Sequence, residues 1–406
     1  MLNVLAPRTG GAVEAKRRLR YLMLGVAVIL LFWKVSFVAG QMNAPVDDFI
    51  EYWSASRLLL SGKNPYSTEE LSLLQRPYTG SETPLIMWNP PWALSLFLPF
   101  GLLGYSPSRW LWLIFNLGLL LFSARWLWSH YVRWQDPAWL ASGVTLILAV
   151  TFLPGPVVLS LGQIGPVILA GIVGFLSLVR RQLHFKAGVV TLLIALKPHL
   201  LFLYWIVLLF WIVRTRRWLL AAGAATALVV GTALPMLFYR DLIEGYLSLV
   251  AKESIFHHPS TTLGAFLRWM LGWEKIWLQL LPMLPGILWA AWYWRRHGRD
   301  WDWDTRLPLL LLVSVVTACY GWVFDQTVLY PALFQAVGWL LKTGQRNERL
   351  VAVVCYTFIN LAGFVLIGLG LNGVAYGWMA PAWLIFHVGV AKQWTRRVIW
   401  TQPIGT

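Results

Sequence analysis

The chain is poor in acidic residues, in cysteine and in charge of either sign. Only 17 of its 406 residues are Asp or Glu, and charged residues make up 12% of the chain, about half the share found in soluble domains. The two cysteines both lie in apolar segments, which does not favour a disulfide framework. No Walker A or GxSxG pattern is present, and the sequence predicts no cofactor.

The chain is rich in apolar residues. They make up 58% of the chain, the mean hydropathy is +0.62, and many of the 27 tryptophans stand at the ends of apolar runs, as interfacial belts require. We therefore predict one all-α, polytopic integral membrane domain over residues 1–406. The net charge of +16 is scattered between apolar runs, so it indicates a membrane protein and no nucleic-acid partner.

The N-terminus is basic and is followed by an apolar run over residues 21–40. A signal peptide has the same order, but its apolar core is usually shorter, and no clear small-x-small cleavage site ends this run. We interpret it as a retained first span with the N-terminus in the cytoplasm.

Thirteen apolar runs are candidates for crossing the membrane. Because this number is odd and both termini are expected on the same side, one of the runs must not cross. Both termini are basic, which places both in the cytoplasm and requires an even number of spans. The run 90–103 is the weakest, because it is short and begins with Pro90-Pro91. If it stays at the interface, twelve spans remain and most basic residues fall in cytoplasmic loops. The runs lie near 21–40, 90–103, 109–128, 138–154, 165–179, 187–196, 200–213, 218–238, 276–293, 307–319, 328–341, 350–370 and 378–391.

This topology places four segments on the outer face of the membrane: a first loop over 41–108, a short turn at 197–199, a second loop over 239–275, and a tight turn around Asp325. The two runs that meet at 197–199 are short for a bilayer. We expect two short helices around a recess there. A single proline-kinked helix is the alternative, and it would reverse every later loop.

The first outer loop contains the acidic pair Asp47-Asp48. Carboxylates close to a membrane are costly and need water, a partner or a function. We interpret Asp48 as the base of an active site, whereas Asp47 also fits an ordinary helix N-cap. Residues 48–60 have the pattern of a short interfacial helix with Tyr52 on the face of Asp48. Its apolar residues would face the membrane interface: Phe49, Ile50 and Trp53.

Three other outer segments contribute candidate site residues. Lys197 in a membrane protein needs an anion, which a lipid phosphate or Asp325 could supply, and a structural ion pair remains an alternative. His199 accompanies it in the same turn. Trp322 beside Asp325 suits the face of a sugar ring. Gln163 could bind hydroxyl groups or cap a helix.

The second outer loop carries Arg268 and the adjacent pair His257-His258. The two histidines do not share a helix face, and no HExxH motif or cysteine pair accompanies them, so no metal is predicted. Contacts to a phosphate or to sugar hydroxyls are favoured, and a merely solvated loop is the alternative.

Several short motifs, taken in order, resemble glycosyltransferase family 87 of the GT-C superfamily. They are Asp48-Phe49-x-x-Tyr52, Gly62-x-x-Pro65-Tyr66, Asn89-Pro90-Pro91, Leu98-Pro99-Phe100, Gly162-Gln163, Leu196-Lys197-Pro198 and the turn at Asp325. The resemblance covers roughly residues 45–340.

The resemblance implies a GT-C-type helical bundle, here with about twelve transmembrane helices plus interfacial helices in the first outer loop. It also implies a polyprenyl-phosphate sugar donor, often mannose and sometimes arabinose, and a catalytic Asp that falls on Asp48. Many relatives have His near the late turn, where this chain has Asp325-Gln326. The expected donor-phosphate residues are Lys197, His199 and Arg268, and the expected acceptor or sugar residues are Asp47, Tyr52, Gln163, His257, His258, Trp322 and Asp325.

The predicted activity is therefore an inverting sugar transfer to a lipid or glycan acceptor at the outer face of the plasma membrane, in contact with membrane lipid. One base and direct displacement would invert the anomeric carbon. A transporter or flippase for a lipid-linked substrate is the alternative, but it needs a polar path, and the spans carry almost no charge beyond Lys34.

Overall fold

The computed structural model describes residues 48–132, 138–371 and 373–401, and this part of the chain is helical without β-strands. The first predicted span, 21–40, and Asp47 lie outside the described residues. In chain order the α-helices are α1 (Phe49–Leu60), α2 (Thr68–Thr79), α3 (Leu94–Gly101), α4 (Tyr105–Leu127), α5 (Ala138–Thr151), α6 (Pro154–Ser160), α7 (Gly165–Arg180), α8 (His184–Ile194), α9 (Phe202–Thr215), α10 (Trp218–Met236), α11 (Leu242–Lys252), α12 (Leu263–Leu271), α13 (Trp277–Leu280), α14 (Met283–His297), α15 (Trp303–Thr317), α16 (Tyr330–Thr343), α17 (Arg346–Gly368) and α18 (Met379–Thr401).

The all-helical class is confirmed for the described residues, but the count of twelve spans is not. Within them, four continuous helical segments are long and apolar enough to cross a membrane, and a bent pair would make a fifth. Most other apolar runs form helices that are too short to cross a membrane alone. The count is not confirmed because an apolar run does not show where its helix ends. The four segments are Tyr105–Val132, Trp218–Met236, Arg346–Gly368 and Gly373–Thr395.

The bent pair shows how a proline separates two consecutive helices. Helices α5 and α6 meet at an angle of 65°, just before Pro154, which lacks a backbone N–H and favours the first position of a helix. At the break, the Leu153 backbone N–H donates to the Asn360 side-chain oxygen at 2.7 Å. Asn360 on α17 thus satisfies a backbone group that the bend would leave unpaired in an apolar setting.

The run 90–103 forms a 3₁₀ turn, Pro91–Ala93, followed by the short helix α3. Together these eleven residues reach about 16 Å, roughly half of the hydrocarbon core. The length supports the prediction that this segment does not cross. It packs against α1 and α10, and Ser95 on α3 donates to the Gly231 carbonyl of α10 at 2.6 Å.

The prediction of two short helices around residues 197–199 is confirmed. Helix α8 ends at Ile194 and α9 begins at Phe202, with seven non-helical residues between them. Helix α8 packs closely against both α7 and α10, and small residues allow this approach.

Gly188 on α8 and Gly223 on α10 make the closest of these helix contacts. A Cβ atom on Gly188 would stand 2.0 Å from the Leu220 carbonyl oxygen, and one on Gly223 would stand 2.1 Å from the Phe185 carbonyl oxygen. Both obstacles are backbone atoms, so the helices themselves would have to separate.

Gly188→Ala is therefore expected to destabilise the protein by about 1–3 kcal/mol, as overpacked cores do. The measurement is thermal unfolding in detergent. Gly118→Ala on α4 is the matched control, because a Cβ there meets nothing within 4 Å. Equal melting temperatures for the two variants would contradict the tight contact between α8 and α10.

Candidate active site

Four distant parts of the chain meet in one polar network. Asp48 Oδ2 accepts from Gln163 Nε2 at 2.9 Å. The Gln163 side-chain oxygen accepts from Tyr52 Oη at 2.8 Å and from Lys197 Nζ at 3.2 Å. Lys197 Nζ also donates to Asp325 Oδ1 at 2.7 Å. The structure thus brings together five of the residues that the sequence nominated.

The amide of Gln163 has its orientation fixed by its neighbours. The Lys197 ammonium can only donate, so the oxygen atom of the amide must face it. The amide nitrogen then faces Asp48 and donates to its carboxylate. Burial of Tyr52, together with the nearby carboxylates, raises the pKa of its hydroxyl well above the usual value, so Tyr52 remains a donor to Gln163. The hydrogen bond from the Gln163 amide orients one oxygen of the Asp48 carboxylate.

Local structure explains why Asp48 reaches Gln163. Asp48 occupies the N-cap position of α1, yet its side chain makes no capping hydrogen bond there. Gln163 follows Gly162, whose φ of +65° is a left-handed conformation that suits glycine. The Trp112 indole N–H donates to the Gly162 carbonyl at 2.6 Å and ties this turn to α4.

The expectation that α1 is an interfacial helix is wrong. Phe49, Ile50 and Trp53 are buried in the protein, with relative exposures of 0%, 1% and 3%. Phe49 stacks on Trp112 with ring centroids 5.8 Å apart. The sequence pattern correctly identifies an apolar face, but it cannot distinguish a lipid neighbour from a protein neighbour. Burial on nearly all sides holds the first turn of α1, and with it Asp48, in a fixed position.

The turn that carries Lys197 is held by the first loop. Asn89 Nδ2 donates to the Leu196 carbonyl at 3.0 Å, and the Trp92 indole N–H donates to the Ala195 carbonyl at 2.9 Å. These bonds satisfy carbonyl groups at the C-terminal end of α8 that have no partner within the helix. Asn89 and Trp92 were not nominated as site residues. The Asn-Pro-Pro sequence marks a break but does not show what its amide binds.

Lys197 and Asp325 form a buried ion pair, with side-chain exposures of 12% and 2%. Asp325 Oδ2 also accepts from the Trp322 backbone N–H at 2.9 Å. The Lys197 ammonium lies 4.9 Å from the centre of the Phe324 ring. The ion-pair alternative for Lys197 is therefore realised, and the partner of this lysine within the protein is Asp325.

An aromatic group borders the network beside Asp325. Trp322 is partly exposed, stacks near Phe324, and donates its indole N–H to the Tyr320 hydroxyl at 2.8 Å. His199 lies with its ring centre 6.0 Å from that of Tyr320. Burial lowers the pKa of His199 to about 4, so its imidazole is neutral at pH 7 and offers hydrogen bonds but no charge.

Arg268 has a structural role in the second loop. Its guanidinium is buried and donates to the carbonyls of Phe256 and Trp273 and, at 3.2 Å, to the Gln279 side chain. Gln279 in turn donates to the Cys319 carbonyl at 2.6 Å. Arg268 thus helps to join the second loop to the segment leading into the Asp325 turn, and its contacts are not those of an available phosphate ligand.

His257 and His258 are exposed on the second loop, and neither joins the polar network through a described hydrogen bond. The described residues contain no group of three or more His, Cys, Asp or Glu side chains arranged to hold a metal ion. The predicted contribution of Asp47 falls on a residue outside the described part of the chain.

Comparison with known proteins gives a family. The family model of glycosyltransferase family 87 matches residues 88–319, more than half of the chain. No curated protein and no solved structure matches. The matched segment includes Gln163 and Lys197, whereas Asp48 and Asp325 lie outside it.

Proposed function

Because the chain belongs to glycosyltransferase family 87, and is accordingly a membrane glycosyltransferase, we propose that it uses a polyprenyl-phosphate sugar as donor. Mannose is the first choice of sugar, with arabinose next. The acceptor is a hydroxyl group of a lipid or glycan. The reaction takes place at the outer face of the plasma membrane, with both termini in the cytoplasm, and it inverts the anomeric configuration.

The observation that carries this proposal is the hydrogen bond between Gln163 and Asp48. This hydrogen bond orients the carboxylate of one of the few acidic residues of the chain. General bases placed within hydrogen-bond reach of the reacting hydroxyl contribute about 10²–10⁴-fold to rate. One Asp48 oxygen is oriented by Gln163, and the carboxylate retains lone pairs to accept the proton of an acceptor hydroxyl.

The proposed step balances without a cofactor. The acceptor oxygen attacks the anomeric carbon and forms the new glycosidic bond as its proton passes to Asp48. The bond between the anomeric carbon and the phosphate oxygen breaks, and its electron pair leaves with the phosphate. Since a single displacement occurs on the face opposite the leaving group, the configuration is inverted.

Lys197 of the Lys197–Asp325 pair has a second role in this proposal: it stabilises the negative charge that develops on the leaving phosphate. Lys197 has three N–H groups, and its described hydrogen bonds go to Asp325 and Gln163. A third N–H can face the phosphate, where a preorganised donor acts strongly in a site of low dielectric constant. The partly exposed ring of Trp322 beside it is suited to the apolar face of a sugar.

The protein in lipid nanodiscs is expected to transfer sugar from a radiolabelled polyprenyl-phosphate mannose to an extracted lipid or glycan acceptor fraction. The product should carry the inverted anomeric configuration, which NMR of the new linkage reports. Polyprenyl-phosphate arabinose and GDP-mannose are the comparison donors. Transfer from GDP-mannose but from neither lipid-linked sugar would contradict the donor class.

The transporter alternative predicts a different result in sealed vesicles. A flippase would move the intact labelled lipid between leaflets without forming a new glycosidic bond. Movement without transfer by the wild-type protein, with the same movement in Asp48→Asn, would overturn the assignment of Asp48 as a base.

A further inference from the structure

Helices α8 and α10 lie in parallel, with their N-terminal ends side by side. A Cβ atom on Gly188 of α8 would stand 2.0 Å from the Leu220 carbonyl oxygen of α10. Further along both helices, a Cβ atom on Gly231 of α10 would stand 3.1 Å from the Leu192 side chain of α8. The contacts therefore advance in the same direction on the two helices. Since a helix carries partial positive charge at its N-terminus, the two adjacent ends reinforce each other.

Neither of these N-termini has an anionic group of its own. The first turns of α8 and α10 contain no acidic residue, and neither N-cap side chain makes a capping hydrogen bond. No Asp or Glu occurs between Asp136 and Asp241 in the sequence. The first backbone N–H groups of a helix have no partner within it, and such groups commonly bind anions. This pair of helix ends therefore favours an anionic ligand.

The turns that lead into the two helices are strongly basic. We call residues 180–186 and 214–217 together the double-turn surface. It carries six Lys or Arg side chains, of which five are exposed. Among the described ion pairs, only Arg180 of these six contacts an acid, with its Nε 3.5 Å from Asp304 Oδ2. Most of this positive charge thus has no ion-pair partner within the described residues. The six are Arg180, Arg181, Lys186, Arg214, Arg216 and Arg217.

His184 and Arg217 join the two helix N-termini directly. Arg217 Nη1 donates to His184 Nε2 at 2.8 Å. A guanidinium can only donate, so Nε2 is the acceptor and a neutral imidazole carries its proton on Nδ1. The Gln182 side chain also reaches Nε2, at 3.1 Å. The second ring nitrogen of His184 is therefore a donor that these contacts do not use.

Two buried donor groups at this junction have no hydrogen-bond partner among the described residues. They are His184 Nδ1 and Arg217 Nε, and His184 as a whole is only 8% exposed. Buried polar atoms are rarely left unpaired, and both of these groups need an acceptor atom. The planar fork of a guanidinium matches phosphate oxygens. A phosphate between the two N-termini would supply acceptors to both groups, which is a sign of a ligand independent of the helix dipoles.

The surroundings of the double-turn surface indicate that this phosphate belongs to a lipid. Helix α10 is long and apolar enough to cross a membrane and begins at Trp218, so the surface lies at a membrane boundary, where tryptophan is typical. Basic pockets between membrane helices on the cytoplasmic side bind anionic lipid head groups. A free phosphate would leave the neighbouring apolar side chains uncovered. Four of these are 40–65% exposed: Leu183, Phe185, Trp218 and Leu219.

We propose that the double-turn surface binds the head group of an anionic phospholipid. The phosphate lies against the N-termini of α8 and α10, where His184 Nδ1 and Arg217 Nε donate to it, and the acyl chains cover the exposed apolar side chains. In the topology proposed above, this lipid belongs to the cytoplasmic leaflet. The surface lies at the opposite end of α8 from the Lys197 turn, about 16 Å along the helix. The site is therefore separate from the sugar-transfer site, and its test does not depend on transfer.

Native mass spectrometry of the detergent-solubilised full chain tests this proposal, with dioleoyl phosphatidylglycerol and dioleoyl phosphatidylcholine at equal concentration. The wild type should retain phosphatidylglycerol at least fivefold more strongly, because only this lipid has a net negative charge. The double variant Arg181→Gln with Arg216→Gln should lose most of the preference. Both residues are exposed, so this variant should keep the wild-type melting temperature. Equal retention of the two lipids by the wild type would overturn the proposal.

The matched control removes two charges from another basic segment. Arg295→Gln with Arg296→Gln changes two exposed residues in the last turn of α14. This variant should keep the wild-type preference for phosphatidylglycerol. Equal losses in the two double variants would show only a general attraction between basic residues and anionic lipid, and the double-turn surface would not be a site.

Arg217→Lys tests the buried part of the surface. It keeps the charge but removes the Nε donor and the contact to His184, so retention of phosphatidylglycerol should fall several-fold. The melting temperature without added lipid reports whether the variant is folded. A folded Arg217→Lys protein that retains phosphatidylglycerol like the wild type would contradict the placement of the phosphate.

Two competitors separate a lipid from other anionic ligands. Inorganic phosphate at millimolar concentration should not displace phosphatidylglycerol from the wild type, because it cannot cover the apolar side chains. A polyglutamate peptide at the concentration of the lipid should not displace it either, for the same reason. Displacement by phosphate would indicate a site for a free anion, and displacement by the peptide would indicate an acidic protein partner. Either result would overturn the assignment to a phospholipid.

Discussion

Asp48→Asn is expected to lower sugar transfer by about 10²–10⁴-fold, the contribution of a well-placed general base. Asparagine has nearly the size of aspartate, and its side-chain oxygen can still accept from Gln163. The substitution therefore removes the proton acceptor and leaves the network largely intact. The measurement is the initial rate of labelled product formation at saturating donor.

The matched control for this result is Glu69→Gln in the same loop. Glu69 is exposed at the start of α2, so its variant should transfer sugar at the wild-type rate. Melting temperatures of both variants should lie close to that of the wild type. Wild-type turnover by a folded Asp48→Asn protein would rule out the base.

Lys197→Met should destabilise the protein by about 3–5 kcal/mol, because it leaves the Asp325 carboxylate buried without its counter-charge. Asp325→Leu should cost a similar amount for the converse reason. The double variant should recover much of the stability, since a buried ion pair replaced by apolar side chains is often neutral. The measurement is the free energy of unfolding in detergent for the four proteins.

Transfer separates the structural role of the pair from its chemical role. The double variant should remain inactive, because no ammonium faces the leaving phosphate. Lys63→Met is the control. Lys63 and Glu70 form an ion pair at 2.8 Å, but their side chains are 52% and 35% exposed. Exposed ion pairs contribute about 0–1 kcal/mol to stability. An active double variant would show that Lys197 serves only the fold.

The residue types that form the network could be predicted from the sequence, but not the bonds between them. Asp48, Lys197 and Asp325 stand out because charge among apolar runs is costly. Gln163 stands out as a polar residue between two apolar runs. Its place at the centre of the network depends on the turn after α6, and no local pattern shows that the Gln163 amide would bridge Asp48 and Lys197.

Other features required coordinates. The apolar face of α1 was predicted, but its neighbours are Trp112 and other protein groups, because periodicity reports polarity and not what covers a face. The twelve-span count depended on the lengths of apolar runs, whereas several of these runs form helices of only 10–17 residues.

The Lys197–Asp325 contact also bears on how the protein is made. The two residues are separated by 128 positions in the chain, so the lysine is synthesised well before its carboxylate exists. During insertion the Lys197 ammonium needs water or another anion as its partner until the helices near residue 325 have been synthesised. A polypeptide released before residue 325 would lack this carboxylate, and the charge of Lys197 would stay uncompensated by Asp325.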